Sequence, residues 1–369
     1  MPDGVTDAAG AAPAVEVARP AGAPPPYEEA WPAIGSAPEG AAVALLRAGE
    51  ELLHHGTRQV PGPLGALAGE LGRADAYDLL LDLLLDRPLG HGPRPGAAHG
   101  RPVPPGTAAL MAALAGPVTT VLDPACGAGA LLAAARGADG GPGPRALHGQ
   151  EADPVLARLA ALRLALRGGT LAHVRAGDAL RDPPGPRPSV DAVLCRPPSD
   201  TARWAPEELA YDPRWEYGLP PRAEPELAWA QHCLSRLRPG GTAVLLLPPA
   251  VASRRTGRRV RAALLRRGAL RAVVALPAGA GPAHGAPSHL WVLRRPGGAT
   301  PRPPRLLLVD VTGDTDARAD VRTVPEVWRA FDRGDALPAA AGLRAAVPAV
   351  IDLLDDTVDL APARRTGPP

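Results

Sequence analysis

From Thr119 to Arg294 short apolar runs alternate with amphipathic stretches, and this alternation limits the chain to one class of fold. The strands read as Thr119–Leu122, Ala146–Gly149, Ala172–Arg175, Asp191–Leu194, Thr242–Leu247, Leu270–Leu276 and His289–Arg294. Helices read as Ala130–Arg136, Pro154–Arg167, Pro225–Leu237 and Arg258–Arg267. The second helix carries its own boundary marks: Asp153 as N-cap, Pro154 at the first position and Gly168 past the end. Pro239-Gly240-Gly241 reads as the break between the third helix and its following strand. Strands joined through helices run mostly parallel and are covered on both faces. The expected fold class is α/β, with a Rossmann-like seven-stranded sheet.

Segments on either side of this core read differently. Residues 1–40 are Ala/Pro/Gly-rich, with Pro24-Pro25-Pro26, and are expected to be a disordered tail. Residues 41–95 are expected to form a helical subdomain, because Ala42–Leu53 and Asp75–Leu85 carry apolar residues at helical spacing. Gly90–Pro105 reads as a linker and Thr107–Leu114 as a short helix. The α/β domain spans 96–297, and 298–369 is an extension with one apolar run, Leu306–Val311, and one helix, Pro348–Leu354. No uninterrupted apolar stretch reaches membrane-spanning length and no signal peptide is visible, so a cytoplasmic protein is expected, with no membrane partner. Cys126, Cys195 and Cys233 have no paired spacing, and His284 and His289 have no companions at ligand spacing, so no metal site or disulfide is expected. All 40 basic residues are arginine, the mark of a G+C-rich coding bias. Arginine abundance alone is therefore no sign of nucleic-acid binding, and a net charge of +2 decides nothing.

The first strand runs into Asp123-Pro124-Ala125-Cys126-Gly127-Ala128-Gly129 and directly on into a helix. A chain that turns this sharply beside a ligand needs residues without a Cβ, and Gly127 and Gly129 supply them. Glu151 stands at the end of the second strand, 22 positions after Gly129, where a ribose-binding acid is expected. A nicotinamide dinucleotide site normally uses a third glycine, and that position is Leu132.

The Asp-Pro-X-Cys-Gly-X-Gly form resembles the first motif of class I S-adenosylmethionine-dependent methyltransferases. Gly149-Gln150-Glu151, Gly177-Asp178-Ala179-Leu180-Arg181-Asp182, Asp191–Pro198, Asp212–Gly218, Glu226–His232, Leu237–Gly241, Leu276–Gly279 and Val358–Arg364 extend the likeness. In order and spacing they are similar to the adenine-N6 DNA methyltransferases that serve as modification subunits of type I restriction systems. The resemblance implies S-adenosylmethionine as cofactor. Its cradle would be Asp123, Pro124, Ala125, Gly127 and Gly129, with Asp123 near the amino-acid part. Glu151 would hold the ribose hydroxyls and Asp178 the adenine amino group. Double-stranded DNA is the implied substrate, with direct methyl transfer to a flipped adenine. Relatives often continue past the position of Arg365 into a target-recognition region. No such region is expected here, and the resemblance implies a separate specificity subunit as a partner.

In that family the fourth strand ends in Asn/Asp-Pro-Pro-Phe/Tyr. The first side chain and the first Pro carbonyl accept the two N–H bonds of the adenine amino group, and the aromatic ring stacks on the base. Here the motif is Arg196-Pro197-Pro198-Ser199. Arginine carries five donors, no acceptor and a permanent charge, and serine has no ring. The expectation is a cofactor-binding protein in which transfer is impaired. Two alternatives stand beside it: a non-catalytic partner or regulatory subunit that binds cofactor or DNA, and a methyltransferase for a small molecule or protein. Asp200 is a substitute acceptor to weigh, and Trp204, Tyr211, Trp215 and Tyr217 are substitute stacking faces. The segment around Arg101–Pro105 lacks the Gln-Phe-Tyr-Thr-Pro of the family. The arginines from Arg254 to Arg267 read equally well as a phosphate track or as a solvated helix face.

Overall fold

A computed structural model of the chain describes residues 26–37, 39–55, 60–86, 102–137, 143–182, 189–198, 204, 207–281, 287–297, 305–312, 320–338 and 343–366. Four helices open the chain: α1 (Pro26–Gly35), α2 (Ala41–His55), α3 (Gly62–Leu71) and α4 (Arg73–Asp86). Then follow α5 (Pro105–Ala115), β1 (Thr120–Asp123), α6 (Ala130–Arg136), β2 (Ala146–Glu151), α7 (Pro154–Arg167), β3 (Leu171–Ala176) and β4 (Val190–Cys195). The second half contains α8 (Pro225–Arg236), β5 (Leu237–Leu247), α9 (Arg258–Arg266), β6 (Leu270–Leu276), β7 (Ser288–Arg294) and β8 (Leu307–Asp310). It closes with α10 (Val324–Arg333), β9 (Arg344–Ala346), α11 (Val350–Leu353) and α12 (Pro362–Arg365).

All the described strands form one sheet, in the order β3-β2-β1-β4-β5-β7-β6-β8-β9. The seven expected strands occupy the first seven places. β7 is antiparallel to both its neighbours, whereas β1 to β5 are mutually parallel. The C-terminal extension adds β8, parallel to β6, and β9, antiparallel to β8. Both faces are covered, and the strands show it at period two. Val193 and Cys195 of β4 point into one core with α8 and α9; Ala192 and Leu194 point into the other, with α5, α6 and α10.

The helical layer α1–α4 packs on α7, whose Leu156, Leu159 and Leu166 join its core. Ion pairs reinforce the contact: Arg163 Nε lies 3.0 Å from Asp78 Oδ1, and Arg167 bonds Asp78 and Asp75. At its start α7 is held as its sequence predicts, with Asp153 Oδ1 accepting from Val155 N at 2.8 Å and Leu156 N at 3.2 Å. The chain turns away at Gly168, at φ +60°.

Three expectations are corrected. Part of the 1–40 segment is ordered: α1 buries Ala30, Trp31 and Ile34, which outweighs the helix-breaking content around them; residues 1–25 lie outside the described residues. Pro239-Gly240-Gly241 is no break between helix and strand. The pairing steps from Val190↔Leu237 to Ala192↔Thr242, so these residues bulge inside β5, and Gly240 takes φ +80°. Finally, the helix expected at Pro348–Leu354 shrinks to α11, and α10 was missed. Val324, Val327, Trp328 and Phe331, all buried, give α10 a three-and-four spacing that was readable. Helix α3 was missed for a different reason. Three glycines give it weak intrinsic propensity, and packing of Leu67 and Ala68 makes up the difference.

Arg261 locks the C-terminal segment onto α9. The side chain is wholly buried and donates to the carbonyls of Val358 (3.0 Å), Thr357 (3.0 Å), Val251 (3.2 Å) and Arg254 (2.7 Å). Arg261→Met leaves those acceptors dry, so a loss of about 3 kcal/mol is expected in urea unfolding. Arg261→Lys recovers little, because an ammonium cannot reproduce the fork.

Candidate functional site

Parallel strands β3, β2, β1 and β4 end side by side, and the sequence-predicted residues stand at those ends. Asp123 closes β1, Glu151 closes β2, Asp178 follows β3 and Arg196 follows β4. Ligands of open α/β sheets collect at this edge. Pairing of Asp123 with Gly149, Glu151 with Ala176 and Leu122 with Val193 fixes the four in a row.

Glu151 organises the loops around it. It is completely buried; Oε2 accepts from Gly127 N at 2.9 Å and Oε1 from Asp153 N at 2.8 Å. One carboxylate thus ties the glycine loop to the start of α7, and its backbone oxygen takes Gly177 N at 2.8 Å. Gly127 sits at φ +53°, and a Cβ there would meet nothing within 4 Å, so its outer side is open. Gly129, at φ +80°, is needed for packing as well: a Cβ would come within 3.3 Å of Ala160 Cβ on α7. Pro124 and Ala125 are buried in the turn between them and the strand.

The open side of Gly127 and the row of strand-end acids fit a nucleoside cofactor with hydroxyl and amino donors. Each Glu151 oxygen accepts a backbone N–H, and the side chain has no solvent exposure. Asp178 is half-buried, and its Oδ1 accepts from Leu180 N (3.0 Å) and Arg181 N (3.4 Å), so it caps its own turn. A cavity of about 640 Å³ lies behind α6, lined by Asp78, Val103, Ala108, Ala134, Arg163 and Gly279 among others. None of the four strand-end residues lines it, so it is separate from this cleft.

Sequence reading missed Arg214. Its buried guanidinium donates to Ala179 O (3.2 Å), Leu180 O (2.5 Å), the Asp212 carboxylate (2.6 Å) and His232 Nδ1 (2.7 Å). The loop after Asp178 is therefore strapped to α8. Burial first, then Arg214 and Arg236, hold His232 well below the ordinary histidine range, which keeps Nδ1 an acceptor. The signal available was the Asp-Pro-Arg-Trp run, noted for its likeness but given no role.

Arg196, Pro197 and Pro198 are half-buried at the end of β4; Ser199 and Asp200 lie outside the described residues. Of the four aromatic candidates, Trp204, Trp215 and Tyr217 are taken up in packing. Trp204 donates to Pro221 O and meets Trp215 edge-on at 5.6 Å, and Arg267 covers Tyr217. Tyr211 alone of the four is fully exposed. His289 is buried within β7 and His284 falls outside the described residues. Among the described residues no three His, Cys, Asp or Glu gather as a metal group, and no helix is long and apolar enough to cross a membrane.

Asp123 is the electrostatic centre of the row. Burial pushes its pKa up to about 8; Glu151 adds to the rise, whereas the Ala125 N–H (3.0 Å) and Arg196 oppose it. For Arg196, burial lowers the pKa, with Cys195 and Asp123 acting the other way. The folded chain thus keeps a proton on Asp123 that the unfolded chain, near 3.8, releases. That contribution to stability is full below about pH 4 and disappears as pH rises to about 8. Asp123→Asn keeps the acceptor for Ala125 N and cannot ionise. Its Tm is expected to gain steadily on the wild type between pH 4 and 8; parallel profiles would refute this account.

The family model described as N-6 DNA Methylase matches residues 103–321, more than half of the chain. The methylase subunit of the type I restriction enzyme HindI from Haemophilus influenzae is 32% identical over 152 residues, covering 40% of this chain and 34% of the relative. That of MjaIX from Methanocaldococcus jannaschii is 25% identical over 189 residues, covering 48% and 33%. The chain thus spans about a third of the length of these curated relatives. Among solved structures, the methyltransferase subunit of a type I restriction-modification system from Streptococcus thermophilus has TM-score 0.65 at 20% identity, over 89% of this chain and 80% of that one. A Listeria monocytogenes protein described as a class I S-adenosylmethionine-dependent methyltransferase has TM-score 0.56 at 20% identity, over 78% and 91%. These likenesses, with the sheet order above, show the class I S-adenosylmethionine-dependent methyltransferase fold. The chain belongs to the N-6 DNA methylase family.

Proposed function

We propose that this chain binds S-adenosylmethionine at the ends of β1, β2 and β3, as part of a modification protein for adenine N6 in duplex DNA, and that Arg196 impairs the transfer step. The observation that carries this reading is Arg196 itself, at the end of β4 in the field of buried Asp123. S-adenosylmethionine, when bound, supplies an electrophilic methyl group. Binding falls to this chain's glycine loop at Asp123, Pro124, Ala125, Gly127 and Gly129, with Glu151 for the ribose and Asp178 for the adenine. Arg214 holds the Asp178 loop in place through the Ala179 and Leu180 carbonyls.

The target amino nitrogen needs two acceptors to free its lone pair. Pro197 still offers a carbonyl, but Arg196 offers only donors. Binding survives in this arrangement and turnover suffers. A separate specificity subunit would choose the DNA sequence, as the implied partner of such a protein. Helices α2 to α4 serve as a buttress through α7, and β8 and β9 extend the sheet.

Two measurements test the reading. Calorimetric titration should show S-adenosylmethionine binding to the wild type. Glu151→Gln presents an amide where Gly127 N and Asp153 N need acceptors and should weaken it about 10- to 100-fold. No heat in the wild type, with or without duplex DNA, refutes the cofactor assignment. Methyl transfer from labelled cofactor to adenine-containing duplex should be near background in the wild type and rise at least tenfold in Arg196→Asn/Ser199→Phe. Comparable turnover in both proteins removes Arg196 as the block, and labelling of protein or small molecules instead of DNA points to a different acceptor.

A further inference from the structure

Charge along this chain is segregated in a way its near-neutral total conceals. Between Glu226 and Asp310 there are 14 arginines and no acid; every one of the 38 Asp and Glu side chains lies outside that stretch. A coding bias toward arginine does not explain the absence of carboxylates. Most of these arginines have internal work. Arg238, Arg294 and Arg295 pair with Asp191, Asp332 and Glu216, and Arg258 and Arg261 bond carbonyls of the C-terminal segment. Arg255, Arg259 and Arg266 are different. All three are exposed, and none has a side-chain partner among the described residues.

Arg259 and Arg266, seven residues apart, share one face of α9, and Arg255 stands in the turn that leads into the helix. Opposite them α9 buries Val260, Arg261, Leu264 and Leu265, so the helix is fixed and the row cannot roll inward. Arg259 and Arg266 are separated by about 10 Å at 1.5 Å per residue, a spacing that spans about three phosphate steps along one strand. Because α9 begins where β5 has ended, the row starts at the same edge of the sheet as Asp123, Glu151 and Arg196.

We propose that Arg255, Arg259 and Arg266 form a contact surface for the phosphodiester backbone of duplex DNA, holding it alongside the strand-end cleft. This rests on the reading of the chain as a DNA-modifying protein, and the family match favours DNA over other polyanions. A bilayer surface is disfavoured, because the face carries no exposed apolar residue to insert, only the half-buried Ala263.

The test is the salt dependence of binding to a fluorescein-labelled 30-base-pair duplex by the full chain. Each phosphate contact contributes about 0.9 to the slope of log affinity against log salt. Arg255→Gln/Arg259→Gln/Arg266→Gln should lower that slope by about 2–3 and reduce affinity at least tenfold at 0.1 M salt. The charge-matched Arg47→Gln/Arg158→Gln/Arg333→Gln, which alters exposed arginines elsewhere, should change neither. Equal losses in both variants, or no binding of duplex by the wild type, overturn the proposal. So does a triple variant that loses binding to phosphatidylserine vesicles while its duplex binding stays intact. Calorimetry with S-adenosylmethionine on the same proteins separates the two claims. Cofactor binding absent throughout, with the DNA slope still falling, refutes the cofactor assignment and leaves this surface standing.

Discussion

One buried carboxylate sets the geometry of the site. Glu151 has no water to solvate it, so its charge is balanced by whatever N–H groups the backbone can bring. Those include Gly127 N and Asp153 N, which belong to two different loops. The glycine loop can fold back on itself because Gly127 and Gly129 accept positive φ. It stays there because Glu151 holds it. The same negative charge lies beside Asp123 and raises that group's affinity for a proton. A single residue thus couples loop shape to local electrostatics, and neither could be altered without the other.

Sheet and cleft were legible for the same reason. Buried strands such as β4 and β6 have no polar face, so they stand out as apolar runs, and α7 carries both its cap and its stop. The strand-end positions of Asp123, Glu151, Asp178 and Arg196 follow from that pattern. What the pattern could not convey was consumption. Tyr217 and Trp204 looked available for stacking, yet Arg267 covers the first and the second donates to Pro221 O. Arg214 shows the reverse: nothing local reveals that its fork closes on carbonyls 34 and 35 residues away. The bulge at Pro239–Gly241 escaped because proline and glycine mark chain reversal and strand irregularity alike.

Arginine plays several unlike parts in this protein, and composition cannot separate them. Arg163 and Arg167 cement the helical layer to α7, Arg261 fastens the C-terminal segment, and Arg196 stands half-buried at the end of β4. In a chain without lysine every cation brings a rigid planar fork, which suits multidentate bonds to carbonyls. That preference helps explain why so many of them ended up inside.

The strands beyond β7 have a consequence for solubility. β6 is buried along its whole length and reads Leu-Arg-Ala-Val-Val-Ala-Leu; left at the margin of the sheet it would be a template for aggregation. β8 covers it, and β9, only three residues long, ends the ladder with a stub too short to recruit another chain. The extension thus acts as a selvedge, keeping a fully buried apolar strand from lying open at the margin of the sheet.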